Sequence, residues 1–223
     1  MSTDATNTAA RPGAIARFRS RQSGHPTGLV GRIFGRAMVK DTADANDRSL
    51  ALLGLTAPRT VLEVGIGQGR TVAVLLDAGH HVLGVDPSAT MVKQATARNR
   101  SACRDGRTDL RHSDGTTIPF DDNTADAAFS VHTVYFMPDP TRTFTDVARV
   151  LRPGGTLVIG CRTSGTPPPA WMDPDIYRIP TATQVTEMLT AAGFDRVDHH
   201  TVDAAGYELH LFAAHLANDA AMA

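Results

Sequence analysis

The chain has 223 residues, of which 42% are hydrophobic and 20% charged, enough apolar sequence for one domain with a full core. Its formal net charge of −1 gives no support to a general role in binding nucleic acid or acidic surfaces. The two cysteines, Cys103 and Cys161, lie far apart without a C-x-x-C spacing, which argues against a disulfide framework and a zinc site.

The charge is unevenly distributed, with a basic segment at the start of the chain. Residues 1–40 hold seven Arg or Lys side chains against Asp4 alone, a balance of +6 that leaves about −7 for the remainder. We expect residues 1–24 to form a flexible leader, and an arm for an anionic partner is the alternative. No apolar run approaches the roughly 18 residues of a membrane helix, and no apolar segment precedes a cleavage signal. We therefore expect a cytoplasmic protein.

Beyond the leader, the pattern predicts two helices, Leu29–Met38 and Asp44–Leu53, and then a regular alternation of strands and helices. Strands interleaved with helices indicate right-handed βαβ units and a parallel sheet. The predicted strands are 60–64, 81–85, 108–113, 125–131, 156–161, 195–202 and 207–215, and the predicted helices are 70–78, 88–98, 139–150 and 183–192.

The first predicted strand runs into a glycine-rich turn, and the second ends at the carboxylate of Asp86. Three glycines come at alternate positions after Val64, namely Gly65, Gly67 and Gly69. Because glycine has no Cβ, a ligand can lie directly against this backbone. A carboxylate about 20 residues beyond such a turn is where a ribose diol is held. The turn and Asp86 together predict an adenosine-containing ligand.

Two residues near the turn help to distinguish among adenosine cofactors. The dinucleotide fingerprint G-x-G-x-x-G requires a third glycine where this chain has Arg70. Glu63 would repel a pyrophosphate but suits a cationic ligand, such as the amino acid end of S-adenosylmethionine. No Gly-Lys-Ser/Thr follows the turn, which excludes a P-loop. A nicotinamide-dependent oxidoreductase remains an alternative class.

Five motifs extend this pattern along the chain, namely Glu63–Gly69, Asp86–Met91, Asp114–Phe120, Asp126–Val131 and Leu151–Leu157. In this order they resemble the class I S-adenosylmethionine-dependent methyltransferases, in particular the bacterial methyltransferase type 11 group related to quinone-biosynthesis methyltransferases. The resemblance implies an α/β fold, a Rossmann-like open sheet of seven strands, mostly parallel with an antiparallel last strand and with helices on both faces. It also implies a flexible basic leader (1–24), N-terminal lid helices (25–56) and an S-adenosylmethionine-binding domain (57–223).

The resemblance further implies which residues hold S-adenosylmethionine and its product S-adenosylhomocysteine. Asp86 would accept hydrogen bonds from the ribose hydroxyls, apolar neighbours would pack on the adenine, and residues 114–115 would lie near its amino group. The expected cofactor-binding residues are Glu63, Gly65, Gly67, Gly69, Asp86, Pro87, Met91, Asp114, Gly115 and His132. Phe34, Met38 and Asn46 are expected lid residues, with ordinary helix packing as the alternative.

The segment after the fourth strand is expected to meet the methyl acceptor. His132 is a candidate catalytic base because imidazole titrates near neutral pH, and Tyr135 is a candidate for orienting an acceptor oxygen. A sulfonium is already a good leaving group, so positioning and desolvation can suffice without a base. Contact with the cofactor or the pocket wall is therefore the leading interpretation of His132. Trp171, Met172 and Tyr177 would suit an aromatic or apolar acceptor, or else anchor a loop on the core.

These observations predict an enzyme that transfers a methyl group from S-adenosylmethionine to an O, C, N or S atom of a small molecule by in-line displacement. The alternatives are a methyltransferase that acts on RNA or protein through the basic arm, the oxidoreductase, and a non-catalytic cofactor-binding module. We expect no metal site, since His199 and His200 are neighbours on a strand and face opposite sides. We expect no membrane partner, and either a monomer or a homodimer.

Overall fold

The computed structural model describes residues 13–24, 26 and 42–218 of the chain. The predicted helix Leu29–Met38 lies outside the described residues, and so do the expected lid residues Phe34 and Met38. Within the described ranges, no helix is both long and apolar enough to cross a bilayer.

A seven-stranded sheet forms the centre of the molecule. Its strands are β1 (Thr60–Val64), β2 (His81–Asp86), β3 (Thr108–His112), β4 (Ala125–Val131), β5 (Leu151–Cys161), β6 (Arg196–Ala204) and β7 (Tyr207–His215). They lie in the order β3-β2-β1-β4-β5-β7-β6. Strands β1 to β5 are parallel, whereas β7 is antiparallel to both β5 and β6. This confirms the expected Rossmann-like open sheet with an antiparallel last strand.

Helices cover both faces of the sheet. They are α1 (Ala14–Gly24), α2 (42–53), α3 (Arg70–Asp77), α4 (Ala89–Arg98), α5 (Arg100–Arg104), α6 (Pro140–Val150) and α7 (Ala182–Ala191), with a 3-10 turn at Val134–Phe136. One core cluster contains Val72 of α3 and Ala95 of α4, and a second contains Phe144 of α6 and Leu189 of α7. The helices predicted within the described ranges are confirmed to within two residues at each end, but α5 and the 3-10 turn were not predicted.

The sequence of β1 explains its central position in the sheet. Val61 to Val64 are all buried, as expected for a parallel strand that is covered on both faces. Val61 packs in the cluster that contains α3, and Leu62 packs in the cluster that contains α6. Glu63 stands out because it places a carboxylate, 4% exposed, in an otherwise apolar run. A buried charge of this kind costs free energy unless it has a partner, so the end of β1 is a candidate ligand site.

Strand β5 begins earlier than the sequence predicts. Its pairing with β4 jumps from Ala125–Leu151 to Ala127–Thr156, so the residues in between form an irregular insertion in the ladder. The Pro-Gly-Gly segment at 153–155 falls in this insertion, and the regular ladder starts at Thr156, where the predicted strand begins.

The sequence predicts a flexible leader over residues 1–24, but Ala14–Gly24 form the helix α1. Tertiary contacts hold this helix in place. Arg17 Nε donates to Asp173 Oδ2 at 2.9 Å, and Ser20 Oγ both donates to the Trp171 carbonyl at 3.1 Å and accepts from the Asp173 amide at 2.9 Å. These partners lie more than 150 residues along the chain, so the composition of the segment gives no sign of them.

Candidate active site

A cleft of about 1110 Å³ opens at the carboxyl ends of β1, β2 and β4, where the order of strands along the sheet reverses. Nearly all of the expected cofactor-binding residues line it, namely Glu63, Gly65, Gly67, Asp86, Pro87, Met91, Asp114, Gly115 and His132. Gly69 does not line the cleft, and neither does the expected catalytic residue Tyr135. The cleft lies where ligands bind in open α/β sheets.

The three glycines of the turn have different roles. All three have positive φ angles, 90° at Gly65, 50° at Gly67 and 72° at Gly69, which disfavours other residues. A Cβ on Gly65 would clash with the Thr133 methyl group, and one on Gly69 would lie 2.8 Å from the Ala95 Cβ in α4. A Cβ on Gly67 would meet nothing within 4 Å. The sequence suggests that all three glycines make room for a ligand, but only Gly67 faces open space.

Glu63 is a buried carboxylate at the base of this turn. One of its oxygens, Oε2, has no hydrogen-bond partner among the described residues. Burial, and then the carboxylate of Asp86, raise the pKa of Glu63 well above its ordinary range, although Thr71 donates a hydrogen bond to it and Arg70 lies nearby. A positively charged hydrogen-bond donor in the cleft would satisfy Oε2 and stabilise the ionised carboxylate.

Asp86 ends β2 and connects it to both neighbouring turns. Its Oδ2 accepts from the Gly67 amide at 2.9 Å, and its Oδ1 accepts from the Ser88 amide at 2.8 Å. Burial raises its pKa to about 6, against the lowering effect of these two bonds and of His112. A carboxylate can accept about four hydrogen bonds, so each oxygen retains capacity for one further donor, such as a hydroxyl of a diol.

The side of the cleft expected to hold the adenine is built from residues that follow β2 and β3. Met91 is 2% exposed and lines the cleft together with Pro87. The exposed carboxylate of Asp114 accepts from the amides of Thr116 at 2.8 Å and Thr117 at 2.9 Å, and these bonds lower its pKa. Asp114 therefore also has a structural role, since it fixes the loop that carries Gly115.

His132 follows β4 and has an unusual backbone conformation, with φ at 56°. Both of its ring nitrogens have partners, because Nδ1 lies 3.0 Å from the Tyr135 hydroxyl and Nε2 lies 2.7 Å from the Tyr207 hydroxyl. The Tyr135 hydroxyl also accepts from the Arg162 amide at 2.5 Å. Each ring nitrogen of His132 is therefore engaged by a tyrosine hydroxyl, whichever nitrogen carries the hydrogen. Burial, and then Arg162, lower the pKa of His132 to about 4, so the ring is neutral at pH 7.

Tyr135 and Tyr207 have supporting positions around this histidine. Tyr135 is 1% exposed and lies behind His132, so it does not face the cleft as the sequence suggested. Tyr207 begins β7, and the guanidinium of Arg162 lies 3.8 Å from the centre of its ring. Burial raises the pKa of Tyr207 to about 12. Sequence reasoning missed Tyr207 because it lies 75 residues beyond His132, and no local pattern connects the two.

A second part of the lining comes from α1, the 3-10 turn and the segment after β5. We call this part the α1 wall; its residues are Arg21, Gln22, Gly24, Phe136, Ile176 and Arg178. The expected acceptor-binding residues Trp171, Met172 and Tyr177 pack against the main core instead and do not line the cleft. The sequence therefore predicted the correct segment after β5, but the side chains it proposed for acceptor binding instead anchor that segment on the core.

Helix α2 covers another part of the cleft. Asn46, an expected lid residue, lines the cleft and donates from Nδ2 to the Thr42 carbonyl at 2.9 Å. Arg70 makes a bidentate ion pair with Asp47, at 2.8 and 3.0 Å, which ties α2 to the first residue of α3. Arg70, which stands where the dinucleotide fingerprint has its third glycine, therefore lines the cleft and anchors α2.

Comparisons with known proteins agree with this site. Residues 62–159 match the family model of a methyltransferase domain. The chain is 30% identical over 139 residues to the 27-O-demethylrifamycin SV methyltransferase of Amycolatopsis mediterranei (strain S699), covering 62% of this chain and 51% of that protein. It is 27% identical over 218 residues to the demethylmenaquinone methyltransferase of Clavibacter sepedonicus, covering 78% of this chain and 87% of that protein.

The fold is similar to the crystal structure of a SAM dependent methyltransferase from Aquifex aeolicus, with a TM-score of 0.65 and 22% identity, covering 82% of this chain and 96% of that one. The chain spans about half the length of the rifamycin relative and most of the length of the demethylmenaquinone relative. The segment that matches the family model contains the glycine turn, Asp86 and His132. Over these segments the chain is similar to class I S-adenosylmethionine-dependent methyltransferases.

Proposed function

We propose that this protein transfers a methyl group from S-adenosylmethionine to a small-molecule acceptor bound in the cleft. The observation that carries the proposal is the pair of buried carboxylates at the glycine turn. Within the described part of the chain, Glu63 has an oxygen without a partner and each oxygen of Asp86 accepts a single bond. An ammonium group and a ribose diol supply the donors that these oxygens lack.

The residues present therefore fit the cofactor. When bound, S-adenosylmethionine supplies a methyl group on a positively charged sulfur, which the acceptor atom (O, C, N or S) takes by in-line displacement. In our proposal Asp86 accepts hydrogen bonds from the ribose hydroxyls, and Glu63 accepts one from the ammonium group. Gly67 lets the ligand lie close to the backbone. Met91 and Pro87 pack on the adenine. The remaining expected residues shape the turn and the adenine loop, namely Gly65, Gly69, Asp114 and Gly115.

His132 in this proposal forms part of the cleft wall and does not take a proton from the acceptor. Its Nδ1 and Nε2 are each hydrogen-bonded to a tyrosine hydroxyl, Tyr135 and Tyr207, so in either tautomer no ring lone pair is free for an acceptor hydroxyl. Tyr135 and Tyr207 act through His132 as positioning residues. Methyl transfer then relies on orientation and on exclusion of water, which are sufficient for a sulfonium leaving group.

The acceptor that we propose is a small molecule with an aromatic or apolar part. The two relatives described above are named for small molecules, 27-O-demethylrifamycin SV and demethylmenaquinone. Helices α1 and α2 both contribute residues to the cleft wall, so the cleft has less room for RNA or a protein chain. Phe136 and Ile176 supply apolar surface in that wall.

Two alternatives have less support. In the basic arm, Arg17 pairs with Asp173 and Arg19 lies 5.0 Å from the centre of the Trp171 ring, so both arginines dock α1 and are less available to RNA. For the oxidoreductase, Glu63 would face the pyrophosphate of a dinucleotide, an unfavourable contact. A strongly salt-dependent RNA affinity would revive the first alternative, and binding of NAD(H) without S-adenosylhomocysteine would revive the second.

The experiment that tests the proposal uses methyl-labelled S-adenosylmethionine and a cell extract split into small-molecule, protein and RNA fractions. We expect label in the small-molecule fraction, lost with Asp86→Ala and retained with Asp77→Ala, an exposed carboxylate on α3 that lies outside the cleft. Label in RNA or protein would overturn the choice of acceptor. Cofactor binding without transfer to any fraction would favour a non-catalytic module.

A further inference from the structure

Two pairs of like-charged side chains line the cleft, besides Arg70, Asp114 and Asp175. Glu63 and Asp86 are buried at the glycine turn. Arg21, in the last turn of α1, and Arg178, after β5, are exposed side chains of the α1 wall. The sulfonium and ammonium groups of the cofactor match the acidic pair, whereas the basic pair matches an oxyanion.

The two arginines are not neutralised by carboxylates in the described part of the chain. Neither Arg21 nor Arg178 makes an ion pair there, and Arg178 Nη2 donates only to the Met137 carbonyl. The nearby acids already have partners, because Asp173 and Asp175 bind Arg17 at 2.9 and 3.1 Å. The positive charge of Arg21 helps to lower the pKa of Asp173, but the hydrogen bond to Asp173 comes from Arg17.

The same wall presents an apolar surface beside these charges. The ring of Phe136 is held edge-on against Tyr177, with ring centres 4.7 Å apart, and Gly24 of α1 packs directly on it. Ile176 lies in the segment between Asp175 and Arg178 and also lines the cleft. A ligand that satisfies this wall needs an apolar body together with a negative group.

We propose that Arg21 and Arg178 form a subsite for an oxyanion, a carboxylate or a phosphate, on an acceptor whose apolar body lies against Phe136 and Ile176. Guanidinium groups bind both oxyanions through paired N–H donors, and such charge-assisted bonds are stronger than neutral ones. This subsite rests on the proposed function, because it names the class of molecule that would receive the methyl group. It also gives α1 a role in selecting the acceptor, beyond covering the cleft.

The test measures binding of three matched probes to protein saturated with S-adenosylhomocysteine, by calorimetry at low ionic strength. The probes are 2-naphthoate, 2-naphthyl phosphate and the neutral 2-naphthamide. We expect at least one anion to bind about tenfold more tightly than the amide, as expected for a charge-assisted pair. The double variant R21Q/R178Q should lose this preference. The control Arg104→Gln removes the same charge from an exposed position on α5 and should retain it.

The outcomes separate this proposal from the proposed function. A preference for naphthoate alone, or for naphthyl phosphate alone, supports the subsite and identifies its oxyanion. Equal binding of anion and amide, no binding of either anion, or a preference that survives R21Q/R178Q overturns it. The single variants are measured as well, so that a double variant that fails to fold still leaves a decisive comparison. Failure of the wild type to bind S-adenosylhomocysteine would contradict the proposed function instead.

Discussion

The Asp86 carboxylate accepts a hydrogen bond from the Gly67 amide at 2.9 Å, so the residue that ends β2 fixes the turn that follows β1. Gly67 is also the glycine of the turn that faces open space in the cleft. The carboxylate therefore has two functions: it shapes the backbone against which a ligand lies, and it offers acceptors to that ligand. Changes at Asp86 should affect both properties.

Asp86→Ala should weaken binding of S-adenosylhomocysteine by about tenfold or more, since hydrogen bonds to a charged group contribute roughly 1.5–3 kcal/mol. Calorimetric titration of the purified variant measures this directly. Asp77→Ala, an exposed carboxylate outside the cleft, should leave the dissociation constant unchanged. An unchanged affinity in Asp86→Ala would show that the ribose lies elsewhere.

The contribution of Asp86 to the stability of the cofactor-free protein should fall as the pH rises from about 4 to about 6, because its pKa rises from 3.8 to about 6 on folding. The folded state binds the proton more tightly in this window, so the free energy of unfolding falls as the proton leaves, by at most about 3 kcal/mol. Asp86→Asn removes this titration. Urea unfolding at pH 4.5 and pH 7 should show the wild type losing stability relative to Asp86→Asn. A difference that stays constant across the two pH values would contradict the assignment.

Gly69→Ala should mainly reduce stability, whereas Gly67→Ala should mainly reduce the affinity for the cofactor. Gly69→Ala combines a positive φ with a Cβ 2.8 Å from that of Ala95, so it should cost about 2–4 kcal/mol of stability. Gly67→Ala carries the conformational strain alone, about 1–2 kcal/mol, but adds a methyl group at the cleft, so it should mainly weaken cofactor binding. Gly79→Ala, at φ 87° with nothing within 4 Å and outside the cleft, is the control for strain. Equal loss of cofactor affinity in Gly67→Ala and Gly79→Ala would contradict the role of Gly67.

His132 should remain neutral down to a pH of about 4 to 5, because burial and Arg162 lower its pKa to about 4. Nitrogen-15 NMR of the histidine side chains measures this pKa. His132→Asn identifies the signal, and Tyr207→Phe should shift it by removing the hydroxyl that Nε2 contacts at 2.7 Å. A pKa near 6.5 would instead support a general base.

Arg17→Gln should loosen α1 and accelerate tryptic cleavage at Arg19 and Arg21. The Arg17 side chain is 43% exposed, but its partner Asp173 has no exposed side-chain surface, so we expect a cleavage rate about fivefold higher. Mass spectrometry of the early fragments locates the cuts. Arg48→Gln breaks an exposed ion pair within α2 and should leave the α1 cleavage rate unchanged. Equal rates in the wild type and Arg17→Gln would mean that this ion pair does not hold α1.

The fold and the cofactor side of the cleft were accessible from the sequence because their signals are local. Buried strands appear as short apolar runs, and a turn with positive φ angles requires glycine, so both features are encoded in adjacent residues. The carboxylate of Asp86 follows at a distance that the βαβ unit dictates. Parallel strands then bring their carboxyl ends to one edge, and for this reason most of the expected residues after β1, β2, β3 and β4 line the same cleft.

The tertiary structure alone decided how the opposite wall is built and what surrounds His132. Helix α1 depends on partners more than 150 residues away, and the Tyr207 hydroxyl reaches His132 only because β7 folds back beside β5. Gly69 differs from Gly67 only through its contact with α4. Such contacts depend on the path of the whole chain, and the residues that make them carry no distinguishing pattern in their own neighbourhood.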